Sequence, residues 1–164
     1  MKNHGKGLLA LIFSLLLAGT ACYWGDRAPD VEFVTLEGKH IRLSELRGHP
    51  VLVTFWVSDC RSCLQEIPDL TALYRTYSAR GFEAIAVAMA YDLPNRVLEI
   101  ARGRQVPYKV ALDPLGRIAE AFGQVSQVPS SFLIAPEGRV ALRKLGRIEA
   151  EELRASIERM LRKT

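Results

Sequence analysis

The chain has 164 residues, is 49% hydrophobic and carries a formal net charge of +4, which fits one domain with its own core plus a short extra segment. Its 22 basic residues are interspersed with 18 acidic ones and form no dense basic stretch, so nucleic acid is not implied as a partner. Internal repeats and low-complexity tracts are absent.

The extra segment is the N-terminus. Lys2, His4 and Lys6 precede an uncharged run from Gly7 to Ala21 dominated by Leu, Ile, Phe and Ala. A basic start, a short apolar stretch and small residues before a cut site describe a secretory signal, so residues 1–21 are expected to be a signal peptide or a membrane anchor. At about 15 residues the run is short of the ~20 that a spanning helix needs, which favours the signal. It ends Leu17-Ala18-Gly19-Thr20-Ala21-Cys22, which resembles a bacterial lipoprotein signal with Cys22 as the acylated first residue. Gly19 departs from the Leu usual there, and Gly19-Thr20-Ala21 would also suit ordinary signal peptidase. Each version exports the rest of the chain, placing it outside the bacterial cytoplasm and, if lipid or anchor is retained, on the membrane. Removing residues 1–21 deletes Lys2 and Lys6 and no acid, so the charge falls from +4 to +2.

Residues 22–28 read as a tether, and 29–164 as the folded domain. Val31 to Thr35 alternates, meets the turn signal Glu37-Gly38 and continues as Lys39 to Leu43, which predicts an N-terminal β-hairpin. Ser44 to Gly48 is a turn or helical loop. Val51 to Val57 is apolar almost throughout, as in a strand buried on both faces of a mixed or parallel sheet. From Ser62 to Arg80, Ile67, Leu70, Leu73, Tyr74 and Tyr77 recur at helical spacing, with Pro68 expected to kink the axis. Phe82 to Ala90 is a second buried strand. A helix over 94–105, started by Asp92 or a neighbour, leads to a strand over 108–112 and a short helix over 116–122. Ser131 to Ile134 and Arg139 to Lys144 flank Pro136-Glu137-Gly138 as a hairpin, and a helix over 149–162 closes the chain with Leu153, Ile157, Met160 and Leu161 as its stripe.

Cys60-Arg61-Ser62-Cys63 stands between the first apolar strand and the first long helix. If Cys63 lies in the first helical turn, the two sulfurs can face each other, and a thiolate at Cys60 gains from the free N–H groups and the positive end of the helix. Dithiol redox chemistry is therefore the expected function, with Cys60 as nucleophile and Cys63 as the cysteine that resolves a mixed disulfide. Arg61 favours the Cys60 thiolate and Asp59 opposes it. With Cys22 consumed by lipid, the exported domain keeps one cysteine pair, which tends to oxidise outside the cytosol. A zinc site would need two further ligands, and the three histidines offer no H-x-H or H-x₃-H spacing. A purely structural disulfide is the remaining bland alternative. Glu66, nearly one turn beyond Cys63, either turns its carboxylate toward the sulfur pair or sits exposed and complements the helix dipole. His40 and His49 fall in turn regions and are expected to be solvated, and Phe55 and Trp56 suit strand packing, with Trp56 also able to line the site's rim.

Phe55-Trp56 before Cys60-x-x-Cys63, Glu66-x-Pro68, Val128-Pro129-Ser130-Ser131-Phe132-Leu133-Ile134 and Pro136-Glu137-Gly138-Arg139 together resemble membrane-tethered, extracytoplasmic thioredoxin-like proteins of the TlpA/ResA type, over roughly residues 29–162. The order β-hairpin, β, α, β, α, β, short α, β-hairpin, α is the thioredoxin arrangement, an α/β fold with a central mixed sheet flanked by helices. The resemblance implies thiol–disulfide exchange on exported proteins, often in cytochrome c maturation, with an integral membrane thiol transporter supplying electrons and no organic cofactor or metal. It makes Glu66 an acid that handles protons during exchange. It also makes Pro129 a cis-proline whose loop, with Val128 before it and Ser130 after, presents backbone to an extended substrate. Family sequences often carry Trp before the first cysteine, where this chain has Asp59.

Other functions fit the motifs less well. A disulfide-donating oxidase differs only in redox direction, and the match to reducing members and the lack of a histidine between the cysteines favour a reductase. A peroxiredoxin-like protein would carry Thr where Val57 stands, and a copper-delivery protein would want C-x₃-C and a distal histidine, whereas no histidine follows His49.

Overall fold

In the computed structural model, residues 27–162 are described; the leader, Cys22 and most of the tether lie outside the described residues. Val51–Trp56 (β3) is apolar except at Thr54, and all six of its residues are buried in the middle of the sheet. On one side it pairs in parallel with Glu83–Ala88 (β4), from Val51 opposite Glu83 to Trp56 opposite Ala88. Lys109–Leu112 (β5) pairs in parallel with β4. Parallel neighbours need long crossovers, and the helices Arg61–Tyr77 (α1) and Pro94–Gly103 (α2) supply them.

On its other side β3 pairs antiparallel with Ser130–Ile134 (β6), which turns into Val140–Leu145 (β7). The predicted N-terminal hairpin, Glu32–Thr35 (β1) and His40–Arg42 (β2), adds antiparallel to β5 and gives a seven-stranded order β2-β1-β5-β4-β3-β6-β7. Leu70 and Leu73 of α1, Val97 of α2, and Leu153 and Ile157 of Ala150–Leu161 (α4) cover one face. Phe33, Phe55 and Phe132 are packed on the other by Ile118 and Ala119 of the short helix Arg117–Ala121 (α3). This is a thioredoxin-like fold.

Several element ends differ from the sequence pattern for local reasons. Helix α1 stops at Tyr77 and tightens into a 3-10 turn over Ser78–Arg80, closed by Gly81 at φ 96°, a left-handed value that favours glycine. Helix α2 ends at Gly103, before Gln105 adopts φ 51°. The helix α1 continues through Pro68. The missing proline N–H would have bonded the carbonyl of Leu64, and that carbonyl instead accepts Nη1 of Arg104 at 3.3 Å. The C-terminal end of α2 is thereby tied to α1.

Candidate active site

Ligand and reaction sites of such sheets gather at the carboxyl ends of the parallel strands. Here β3 ends at Trp56 and runs into the Cys-x-x-Cys, and Met89, just past β4, donates its N–H to the Trp56 carbonyl at 3.1 Å. Phe55 opposes Ser130 at the start of β6, so residues 128 and 129 arrive at the same end.

Cys60 is the N-cap of α1, with extended backbone at φ −81° and ψ 106°. Side-chain acceptors at this position normally come from Ser, Thr, Asp or Asn; here the Cys60 Sγ accepts the backbone N–H of Cys63 at 3.1 Å. Ser62 Oγ lies 3.3 Å from the same sulfur. Cys60 and Cys63 form a disulfide with Cα atoms 5.2 Å apart. Cys60 is half-buried and Cys63 is 3% exposed, so an incoming sulfur can reach only the first. On reduction the bond from the Cys63 N–H becomes charge-assisted, and the 17-residue helix adds its dipole. Both effects stabilise a Cys60 thiolate. Asp59 and Arg61 are exposed on either side.

The loop before Cys60 is held by a residue whose role the sequence does not announce. Asp92 accepts both the N–H and the hydroxyl of Ser58, each at 2.6 Å, and the Leu93 N–H at 2.8 Å. The pattern points to Asp92 as a helix cap, but the N-cap of α2 is Leu93, with no side-chain cap bond. A carboxylate two residues before a helix, in the loop that follows a strand, was the available signal.

Glu66 is 3% exposed, so it is not a solvated first-turn glutamate. Its Oε1 accepts the backbone N–H of Ile148 at 2.6 Å. Burial pushes the carboxyl up to about 7; the Ile148 bond and the Arg147 guanidinium oppose the rise, and Asp69 adds to it. Cys63, Glu66, Trp56, Thr54 and Tyr108 line one small cavity of about 20 Å³, room for a single water. Burial, with the Glu66 charge adding to it, holds the Tyr108 hydroxyl well above the ordinary tyrosine range. Trp56 is 6% exposed and lines the same cavity as Cys63. Packing, not the site's rim, is where the structure puts it. Its indole Nε1–H meets no acceptor among the described residues.

The Val128–Pro129 peptide is cis. Pro129 is buried and its carbonyl accepts the Gly146 N–H at 2.8 Å. Ser130 is committed to the sheet, opposite Phe55 on one side and Leu145 on the other, and its hydroxyl donates to the Gln127 carbonyl at 2.7 Å. Of the three predicted backbone contacts, half-buried Val128 alone lies ahead of the strand with its main chain clear of the ladder. No group of three or more His, Cys, Asp or Glu that could hold a metal occurs among the described residues.

A cysteine pair at the N-cap of the first crossover helix, beside a cis-proline on this sheet, defines a thioredoxin-fold thiol–disulfide oxidoreductase. The AhpC/TSA family model matches residues 24–143. A thiol-disulfide oxidoreductase ResA of Bacillus thuringiensis subsp. konkukian is 32% identical over 139 residues, spanning 85% of this chain and 77% of that protein. The Bacillus subtilis ResA is 33% identical over 116 residues, 71% of this chain and 64% of that one. A solved structure of a DsbE-type thiol:disulfide interchange protein from Chlorobium tepidum superimposes with a TM-score of 0.74 at 33% identity, covering 84% of this chain and 96% of the other. The chain belongs to the AhpC/TSA family, and within it is a relative of the ResA thiol–disulfide oxidoreductases.

Proposed function

We propose that this oxidoreductase works outside the bacterial cytoplasm, attached to the membrane through its N-terminus, and reduces disulfides of exported proteins, apocytochrome c among them. The observation that carries the reaction is the asymmetry of the pair: Cys60 half-exposed at a helix N-cap, Cys63 buried beside Glu66. In the reduced enzyme the Cys60 thiolate attacks a substrate disulfide, forming a mixed disulfide and releasing one substrate thiolate. Cys63 then gives its proton to the Glu66 carboxylate, directly or through one water, and attacks the Cys60 sulfur. The second substrate sulfur leaves as a thiolate. Two electrons have passed to the substrate, and the Cys60–Cys63 disulfide has formed. A carboxyl near 7 is suited to take that proton at neutral pH.

An extended substrate would pair with the backbone at Val128, ahead of cis-Pro129, while Ser130 holds the loop to the sheet. Arg61 and Ser62 between the cysteines include no histidine, which supports a moderately reducing pair. An integral membrane thiol transporter would return the enzyme to its dithiol form, and the exchange requires no metal or organic cofactor. The leader over 1–21 and acylation at Cys22 would provide export and attachment; among the described residues no helix is long and apolar enough to cross a membrane.

The reduction potential of the Cys60–Cys63 couple, from equilibration against dithiothreitol and glutathione, tests the direction. A reductase is expected near roughly −270 mV, and a value near roughly −120 mV would make the protein a disulfide donor. Failure to form a reversible disulfide would remove the enzymatic role.

A further inference from the structure

Between β7 and α4 three consecutive residues each hold a different part of the site. The Gly146 N–H donates to the Pro129 carbonyl at 2.8 Å. Nη2 of Arg147 donates to Oδ2 of Asp69 at 2.8 Å. The Ile148 N–H donates to Oε1 of Glu66 at 2.6 Å. Gly146 has φ 82°, a left-handed conformation that turns the chain sharply, so that near-neighbour N–H groups serve separate acceptors.

We propose that the Gly146–Ile148 turn is a positioning element that joins the cis-Pro129 loop and the buried carboxylate of Glu66 into one mechanical unit, with Arg147 fixing it to α1. The turn has no side chain on the reacting sulfurs; it acts through Glu66 and Pro129. The inference rests on the roles proposed above for those two residues.

The physical link is the Ile148 bond. To an ionised Glu66 it is charge-assisted and short; to a protonated Glu66 it is an ordinary bond, roughly half as strong. Ile148 is buried, so water cannot readily replace the lost interaction. When Glu66 takes the proton of Cys63, the hold on the turn slackens, and the same turn carries the N–H that grips the Pro129 carbonyl. Proton uptake is thereby passed to the backbone that would engage substrate. Reciprocity requires that substrate engagement at Val128, on the cis-Pro129 loop, alter the proton affinity of Glu66 by the same factor. The charged and titratable groups facing Glu66 are Arg147 from the turn, Asp69 from its own helix and Tyr108 just before β5, and Glu149 acts on Arg147. The neighbours from β3, Thr54 and Trp56, are uncharged.

The test is an NMR titration of the oxidised full-length chain in detergent micelles, following the Glu66 carboxyl carbon and the amides of Ile148, Gly146 and Ser130 between pH 5 and 9. All three amides are expected to move with the Glu66 midpoint, and to lose that transition in Glu66→Gln. Arg147→Gln removes a cation that favours the carboxylate, so it should raise the proton affinity of Glu66 by about two- to fivefold, carry the amide midpoints with it, and be reversed by Arg147→Lys. Asp69→Asn, at the helix surface, should shift the midpoints the other way. Gly146 and Ser130 amides that ignore the Glu66 midpoint, or titrate unchanged in Glu66→Gln, would overturn the coupling. The proposed function fails differently: unaltered resolution of a Cys60 mixed disulfide in Glu66→Gln would remove Glu66 as the proton acceptor while leaving the amide titrations of the unsubstituted protein, and their loss in Glu66→Gln, as expected.

Discussion

Replacing Glu66 by Gln should stabilise the oxidised protein at alkaline pH and do little at acid pH. Folding raises the Glu66 carboxyl from 4.5 to about 7. Between those values the folded state retains a proton that the unfolded chain has released, so stability falls as pH rises through the window and is level above it. At ~1.36 kcal/mol per pH unit the penalty at pH 8 is about 3 kcal/mol. Glutamine carries no charge and keeps a carbonyl for the Ile148 N–H, so it escapes the penalty without vacating the site. In a domain of this size that is a rise in Tm of about 10 °C at pH 8, shrinking toward zero near pH 4.5. Urea unfolding without reductant, run on both proteins from pH 4.5 to 8, isolates this residue because all other carboxylates are common to the two. Parallel stability profiles, with a constant gap or none, would refute a buried carboxyl as the source.

Three further outcomes follow from the same geometry. Cys63→Ser should accumulate mixed disulfides on Cys60, visible on non-reducing gels, whereas Cys60→Ser should give neither adduct nor turnover; full activity in Cys60→Ser would sink the assignment of roles. Asp92→Ala strips both partners from Ser58 and should cost about 2 kcal/mol in urea unfolding, with slower reaction toward a small aromatic disulfide as the Cys60 loop loosens; an unchanged rate would show that the loop is held by other means. Leu133→Ala, at a site with 0% exposure in β6, should cost roughly 2–5 kcal/mol while leaving the reduction potential unchanged, and a shifted potential would mean that strain reaches the disulfide.

Much of this molecule is local enough to be written in its sequence. A short run that is apolar except at Thr54 and rich in β-branched and aromatic residues suits a strand covered on both faces, and Val51–Trp56 is that strand. The turn at Glu37-Gly38 has the left-handed glycine, at φ 76°, that a tight hairpin requires. A Cys-x-x-Cys between strand and helix placed Cys60 at the cap because the spacing and the helix geometry leave few other arrangements. The family pattern, more than any local force, pointed to cis-Pro129.

Burial is different, because it depends on what arrives from elsewhere in the chain. Three residues past Cys63, Glu66 could face the sulfur pair or the solvent, and in the fold its carboxylate accepts an N–H from a turn 82 residues away. Asp92 could have capped a helix, and instead holds a loop 34 residues distant. Trp56 could have lined a rim, and the strand and helix packed around it closed it in. Desolvation is a sum over every neighbouring element, which is why the chemistry of the Glu66 carboxyl belongs to the tertiary structure and the placement of the cysteines to the sequence.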